Sequence, residues 1–150
     1  MKKCLYIAII CSLTVSILSV YPQQKNFIHK TDTNEQSDFN PVIFDEIESA
    51  IQSGDVAKIS LYLGPQTYFS ITDRTNGYYS ANQAYYVLEE FFKIYRVTKF
   101  KLDIVKTGTS NPYATGIYHF NIRGKRSSAQ VYISLTKTGN NWNISQLTIN

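Results

Sequence analysis

The chain has 150 residues, 43% of them hydrophobic and 17% charged, with a formal net charge of +4. Lys2 and Lys3 supply half of that excess, and the 13 basic and 11 acidic residues that remain are too evenly balanced to imply a nucleic-acid partner. Both cysteines, Cys4 and Cys11, belong to the N-terminal apolar run, which excludes a disulfide framework or a cysteine metal site from everything after it.

Residues 1–22 read as a secretory signal peptide, because Lys2-Lys3 precedes an uncharged apolar stretch from Cys4 to Val20. The remainder is expected to be periplasmic or extracellular, with no membrane span once the signal is removed; an uncleaved anchor is the lesser alternative. Residues 23–40 are polar and read as a flexible tether. Residues 41–150 read as one domain. Its charge is uneven: residues 25–72 carry 3 basic and 7 acidic groups, residues 73–150 carry 10 and 4, so a basic sheet beside an acidic first helix is predicted.

Pro41 suits a first helical turn, and Ile43, Phe44, Ile47, Ala50 and Ile51 recur at helical spacing up to Gly54. Asp55 is placed to cap a short second helix with Val56, Ile59 and Leu63 on its apolar side, stopped by Gly64-Pro65. Thr67 to Thr72 reads as a strand, Asn76-Gly77 as a tight turn and Tyr78-Tyr79 as a short return strand. Ser80-Ala81-Asn82-Gln83 has the form of a capping box, opening a third helix with Ala84, Val87, Leu88, Phe91 and Tyr95 on one stripe and a Glu89/Lys93 pair outside.

The last third alternates with period two. Phe100, Leu102 and Ile104 oppose Lys99, Lys101 and Asp103; Tyr118, Phe120 and Ile122 oppose Thr115, His119 and Asn121; Val131, Ile133 and Leu135 oppose Gln130, Ser134 and Thr136. In the final strand Trp142 and Ile144 are even-numbered whereas Leu147 and Ile149 are odd, which predicts a β-bulge near Ser145-Gln146. Turns at 110–112, 123–125 and 138–140 make these four strands an antiparallel meander.

Helix hairpin, short β-hairpin, long helix and curved four-stranded meander is an α+β order that resembles the nuclear transport factor 2-like (cystatin-like, cone-shaped) superfamily. Ile51-Gln52-Ser53-Gly54-Asp55-Val56 looks like that family's link between its first two helices, and residues 142–149 look like its final strand. Tyr79 to Ala84 with Val87 to Phe92 is similar to a group of small exported bacterial proteins that carry an uncharacterised domain of this superfamily. The resemblance implies a fold and a compartment, and brings no activity with it.

Superfamily enzymes of the ketosteroid isomerase and dehydratase kinds place acids and bases inside the cone. Here the alternation puts His119 and Asp103, the alternative acid/base pair, on the outward faces. Glu89 and Glu90 project about 100° apart on a helix and form no dyad. His29 and His119 lack ligand-like spacing, so neither a metal nor a cofactor is expected, and there is no phosphate loop or nucleophile elbow. The pocket residues expected are Tyr118, as a phenol on the inward face, with Phe100, Phe91 and Trp142 around it. Arg123-Gly124-Lys125-Arg126 is a compact basic turn, read first as a solvated hairpin tip.

These features favour a non-enzymatic exported domain that holds a small apolar ligand in its cone or associates as a homodimer through its outer sheet face. The alternative is an isomerase-like or dehydratase-like enzyme acting by proton transfer on a small hydrophobic substrate, which requires an ionisable group in the cavity.

Overall fold

The computed structural model describes residues 39–72 and 75–150; the segment read as a signal peptide, and the tether up to residue 38, lie outside the described residues. Phe39, which the sequence leaves in the tether, already belongs to the core, edge-on to Phe44 at 5.6 Å and to Trp142 at 5.0 Å. Helix α1 (Val42–Ser53) follows. Asn40 Oδ1 accepts from the Val42 amide at 3.1 Å, which caps the helix as the Pro41 ring begins its first turn. Gly54, at φ +65°, closes it in the left-handed conformation that glycine takes without a Cβ penalty.

Helix α2 (Val56–Ser60) is capped by the Asp55 carboxylate, which accepts from the Lys58 amide at 3.1 Å. The helix stops earlier than predicted. Leu63 is the first residue of strand β1 (Leu63–Ile71), and Gly64-Pro65 lies inside that strand rather than ending a helix. Strand β2 (Thr75–Tyr79) also corrects the reading: Asn76 pairs with Ser70 and Gly77 with Phe69, so Asn76-Gly77 is paired strand and not a turn.

Helix α3 (Ala81–Ile94) opens with the predicted capping box, in which Ser80 Oγ accepts from the Gln83 amide and the Gln83 side chain accepts from the Ser80 amide. Ala84, Leu88 and Phe91 are its buried stripe, and Glu89 and Lys93 pair at 3.2 Å outside. Strands β3 (Arg96–Lys106), β4 (Tyr113–Ile122), β5 (Lys125–Thr138) and β6 (Asn141–Ile149) form the meander. The β4–β5 turn is two residues, Arg123 and Gly124, both at positive φ as in a type I′ turn, whose twist suits a hairpin.

The sheet is larger than a four-stranded antiparallel meander. Among the described residues it has six strands in the order β2-β1-β6-β5-β4-β3; it is mixed, because β1 runs parallel to β6 and carries the short hairpin into the same layer, and it is not closed, because β2 and β3 remain its edges. A parallel neighbour distant in sequence leaves no trace in local periodicity. The bulge predicted near Ser145 is present: Ser134 pairs with Gln146 and Leu135 with Ile144, leaving Ser145 as the extra residue, its hydroxyl donating to Ser134 O at 3.1 Å. Ile144, Leu147 and Ile149 therefore all reach the core.

Strand β3 carries two further irregularities, at Thr98 and at Asp103. The second reverses the phase that the sequence reading assigns to Ile104. Past the extra residue Ile104 sits opposite outward-facing Thr115 and Val105 opposite buried Ala114, and at this end of the strand both are exposed, at 48% and 44%.

The helices cover one face of the sheet and share one core with it, built from Phe44, Ile47, Leu88, Phe69, Tyr118 and Ile133 among others. Helix α1 also protects the β3 edge. Glu48 accepts from the Leu102 amide and from Lys101 Nζ, both at 2.8 Å, and Gln52, one turn later, accepts from the Phe100 amide. Two free-edge amides are thereby satisfied, which blunts a strand that could otherwise pair with another chain. Glu48→Ala is expected to cost about 1–2 kcal/mol, since a bond to a charged acceptor is lost at a site with some access to water, and urea unfolding measures it. A loss below about 0.3 kcal/mol would mean that this edge needs no cover.

Candidate functional site

The C-terminal half of α3 crosses the inner face of the sheet without filling the space beneath it. An open cleft of about 950 Å³ remains, lined by Ile71, Val87, Phe91, Ile94, Tyr95 and Ile122 with Thr72, Thr75, Tyr86, Glu90 and Arg123. A smaller chamber of about 300 Å³ shares Thr72, Phe91 and Tyr95 with it and continues to Phe120, Ala129 and Ile149. Each wall follows from an element already described. Helix α3 brings Val87, Phe91 and Ile94, the inward rows of β4 and β5 bring Phe120, Ile122 and Ala129, and the β1 and β6 ends bring Ile71 and Ile149.

The floor is aromatic and closed. Tyr118 is fully buried, with ring centroids of Phe91, Phe92, Phe100 and Phe120 between 5.5 and 6.3 Å from its own. Its hydroxyl donates to Tyr95 O at 2.6 Å, and burial pushes the phenol above the usual tyrosine range. That hydroxyl ties the floor to the end of α3, so the phenol is occupied by the backbone of the domain. Of the four pocket residues named from the sequence, Phe91 lines the cleft and Tyr118 and Phe100 lie in the core. Trp142 packs on Phe39, its indole nitrogen buried without a hydrogen-bond partner among the described residues.

Tyr95, Ile94, Phe120, Ile122 and Ala129 complete the lining. The stripe names Tyr95 and the alternation names Phe120 and Ile122, but both mark a residue only as inward-facing and cannot tell a filled interior from a hollow one; Ile94, 48% exposed, and Ala129 are named by neither. Among the described residues the charged groups of the lining are Glu90 and Arg123, both exposed.

His119 and Asp103 stand on the other face of the sheet. His119 is exposed between Lys99 and Ser128, and Asp103 accepts from the Thr115 hydroxyl at 2.8 Å beside a shallow groove of about 420 Å³ that also includes Ile117, Gln130 and Tyr132. The register of β4 with both neighbours fixes this orientation, so neither group reaches the cleft. Among the described residues no group of three histidine, cysteine or acidic side chains could hold a metal ion, and no helix is long and apolar enough to cross a membrane.

The model of one family, a domain of unknown function (DUF4783), matches residues 44–150. Among solved structures the chain is similar to a DUF4783 family protein from Bacteroides uniformis, at 18% identity and TM-score 0.64, covering 71% of this chain and 94% of that one. It is similar also to a protein with a ketosteroid isomerase-like fold from Catenulispora acidiphila, solved with trimethylamine (9% identity, TM-score 0.59, 75% and 86% covered). A third is a putative polyketide cyclase from Acidithiobacillus ferrooxidans (10% identity, TM-score 0.57, 73% and 84% covered). At these identities the likeness establishes the nuclear transport factor 2-like fold alone. No curated protein matches the chain.

Proposed function

The chain belongs to the DUF4783 family, and from that premise we propose that it is a non-enzymatic binding domain which holds a small apolar ligand between α3 and the inner face of its sheet. The observation that carries this reading is the cleft itself: apolar side chains from five elements line it, and its volume is that of a small-molecule site. Removing apolar ligand surface from water there is the driving force, at about 25 cal/mol per Å² buried. Tyr95, Tyr86 and the exposed Glu90 and Arg123 supply polar contacts at the lining and fix orientation.

The proton-transfer alternative drew on His119 and Asp103, which face away, and the floor phenol of Tyr118 is committed to Tyr95 O. Among the described residues, the groups that an enzyme could use here are Glu90 and the tyrosines of the lining.

The test is a titration with N-phenyl-1-naphthylamine, an uncharged probe that fluoresces when it leaves water. Saturable binding is expected, and Ala129→Trp, which places an indole in the smaller chamber, should weaken it at least tenfold while leaving the circular dichroism spectrum unchanged. A probe that does not saturate, or one indifferent to Ala129→Trp, rejects the cleft as a ligand site.

Association through the outer face belongs to the same reading. Its support is Ile104 and Ile117, 48% and 43% exposed in adjacent rows of that face, beside the stacked pair Tyr113 and Tyr132 with centroids 5.7 Å apart. Ile117→Lys should then turn a sedimenting dimer into a monomer; a chain already monomeric at high micromolar concentration removes this part.

A further inference from the structure

We infer that the outer face of the sheet carries a second binding site, for a phosphate or phosphomonoester group of a small soluble molecule, at the end nearest the β4–β5 turn. The outer face is organised in rows by the strand register. Toward one end the rows hold Ile104, Thr115 and Tyr132, and then Lys101, Ile117 and Gln130. Toward the turn they hold Lys99, His119 and Ser128, and then Arg96, Asn121 and Arg126. A concavity of about 450 Å³ opens in the second pair of rows, lined by Thr98, Lys99, His119, Asn121, Arg126 and Ser127.

Three facts distinguish this cluster from a solvated basic surface. First, it has no counter-ion within the described residues. The region from Arg96 to Thr138 contains eight lysines and arginines and one acid, Asp103, which accepts from Thr115 in another groove. The nearest lysine on the same strand, Lys101, is matched by Glu48, whose hydrogen bond and charge hold its ammonium above the usual lysine range. Beyond the backbone ladder, the side chains of Lys99, His119 and Arg126 make no hydrogen bond or ion pair to a described residue. Second, Lys99 and His119 are direct cross-strand partners and Arg126 is one row away, an arrangement that costs stability whenever the imidazole is charged.

Third, the irregularity at Thr98 puts an extra residue beside Lys99 and bends the edge strand, so the concavity exists where a regular sheet would be flat. An ammonium, a guanidinium, an imidazole N–H and the Asn121 amide are all donors, and a tetrahedral dianion accepts from each of them. The size of the concavity and its place on an open sheet face suit a small molecule that carries the phosphate.

The experiment is an amide chemical-shift titration of the isotope-labelled protein with inorganic phosphate at constant ionic strength. Saturation in the millimolar range or below is expected, centred on Thr98, Lys99, His119, Asn121 and Arg126. The double variant Lys99→Gln/Arg126→Gln should bind at least tenfold more weakly, while Lys106→Gln, which removes a charge elsewhere on β3, should change affinity less than twofold. Removing like charges leaves the fold intact, and an unchanged thermal midpoint checks this. Equal shifts with chloride, no saturation, or a response only to vesicles of phosphatidic acid in phosphatidylcholine each overturn the inference, the last by placing the chemistry on a lipid surface. The apolar cleft lies on the opposite face, so the naphthylamine titration succeeds or fails independently.

Discussion

Gly116→Ala is expected to destabilise the domain by about 3 kcal/mol, and Gly116→Val to leave it unfolded at room temperature. A Cβ at Gly116 would lie 2.3 Å from the Lys101 carbonyl oxygen, 3.0 Å from Leu102 Cα and 3.1 Å from the Lys101 carbonyl carbon. All three are backbone atoms, so no side chain can rotate away. Strand β3 would have to move off β4, and it is held from the other side by Glu48, which grips both Lys101 Nζ and the Leu102 amide. The cost therefore combines overpacking, typically 1–3 kcal/mol, with the loss of neighbouring ladder bonds worth about 1 kcal/mol each. Urea unfolding reads the loss, and amide exchange should show protection falling first in β3. A Gly116→Ala protein within about 1 kcal/mol of the parent would show that β3 is far looser than its contacts imply.

The reason for that glycine is invisible in the sequence, and it illustrates what periodicity conveys. Alternation identified the inward rows of β4, β5 and β6, and the parity change between Ile144 and Leu147 located the bulge, because large apolar residues on both sides of Ser145 made the slip countable. The extra residue at Asp103 left no such mark. Leu102, Ile104 and Val105 are all apolar, so either phase of the strand looks satisfied, and the outward turn of Ile104 follows only from its pairing with Thr115. Asn76-Gly77 misled for a related reason: a dipeptide that favours a tight turn is also tolerated in a short edge strand, where Gly77 takes φ +146°.

Long-range placement accounts for the rest. Glu48 and Gln52 look like the solvated flank of an amphipathic helix until β3 is brought beside them. The parallel pairing of β1 with β6 joins residues nearly eighty apart and is secured by Thr67, fully buried, whose hydroxyl donates to Ile144 O at 2.9 Å. The cleft was legible only as a set of inward-facing residues. Whether such a set packs to native density or leaves a void depends on how far α3 stands from the sheet, which is a property of the helix as a whole. The cationic concavity was half legible: the Arg123 to Arg126 turn drew notice in the sequence, whereas Lys99 and His119 joined Arg126 only through the strand register.

Tyr118 is the residue through which that inward set is held together, and its two natural substitutions should separate packing from ionisation. Tyr118→Ala is expected to cost about 3–5 kcal/mol, the range for truncating a buried aromatic ring, because four neighbouring rings lose their common contact. Tyr118→Phe keeps the ring and leaves Tyr95 O without its donor, for about 1–2 kcal/mol at neutral pH. The pH dependence distinguishes the hydroxyl further. Burial raises the folded-state pKa of this phenol, whereas the unfolded chain ionises near pH 10. Above that pH the folded state binds more protons than the unfolded one, so this contribution is fully present below about pH 10 and declines as pH rises, by at most about 1.4 kcal/mol per pH unit for each such group. Tyr62 acts in the same direction: its partial burial and then the Glu46 carboxylate, which accepts a hydrogen bond from its hydroxyl, raise it to about 12, and its exposure to water reduces its share. Unfolding free energies measured between pH 8 and about 12 should fall more steeply for the parent than for Tyr118→Phe, with Tyr62→Phe between them. Parallel profiles for the parent and Tyr118→Phe would mean that the phenol reaches water before the domain unfolds, and the aromatic floor of the cleft would then open on its own.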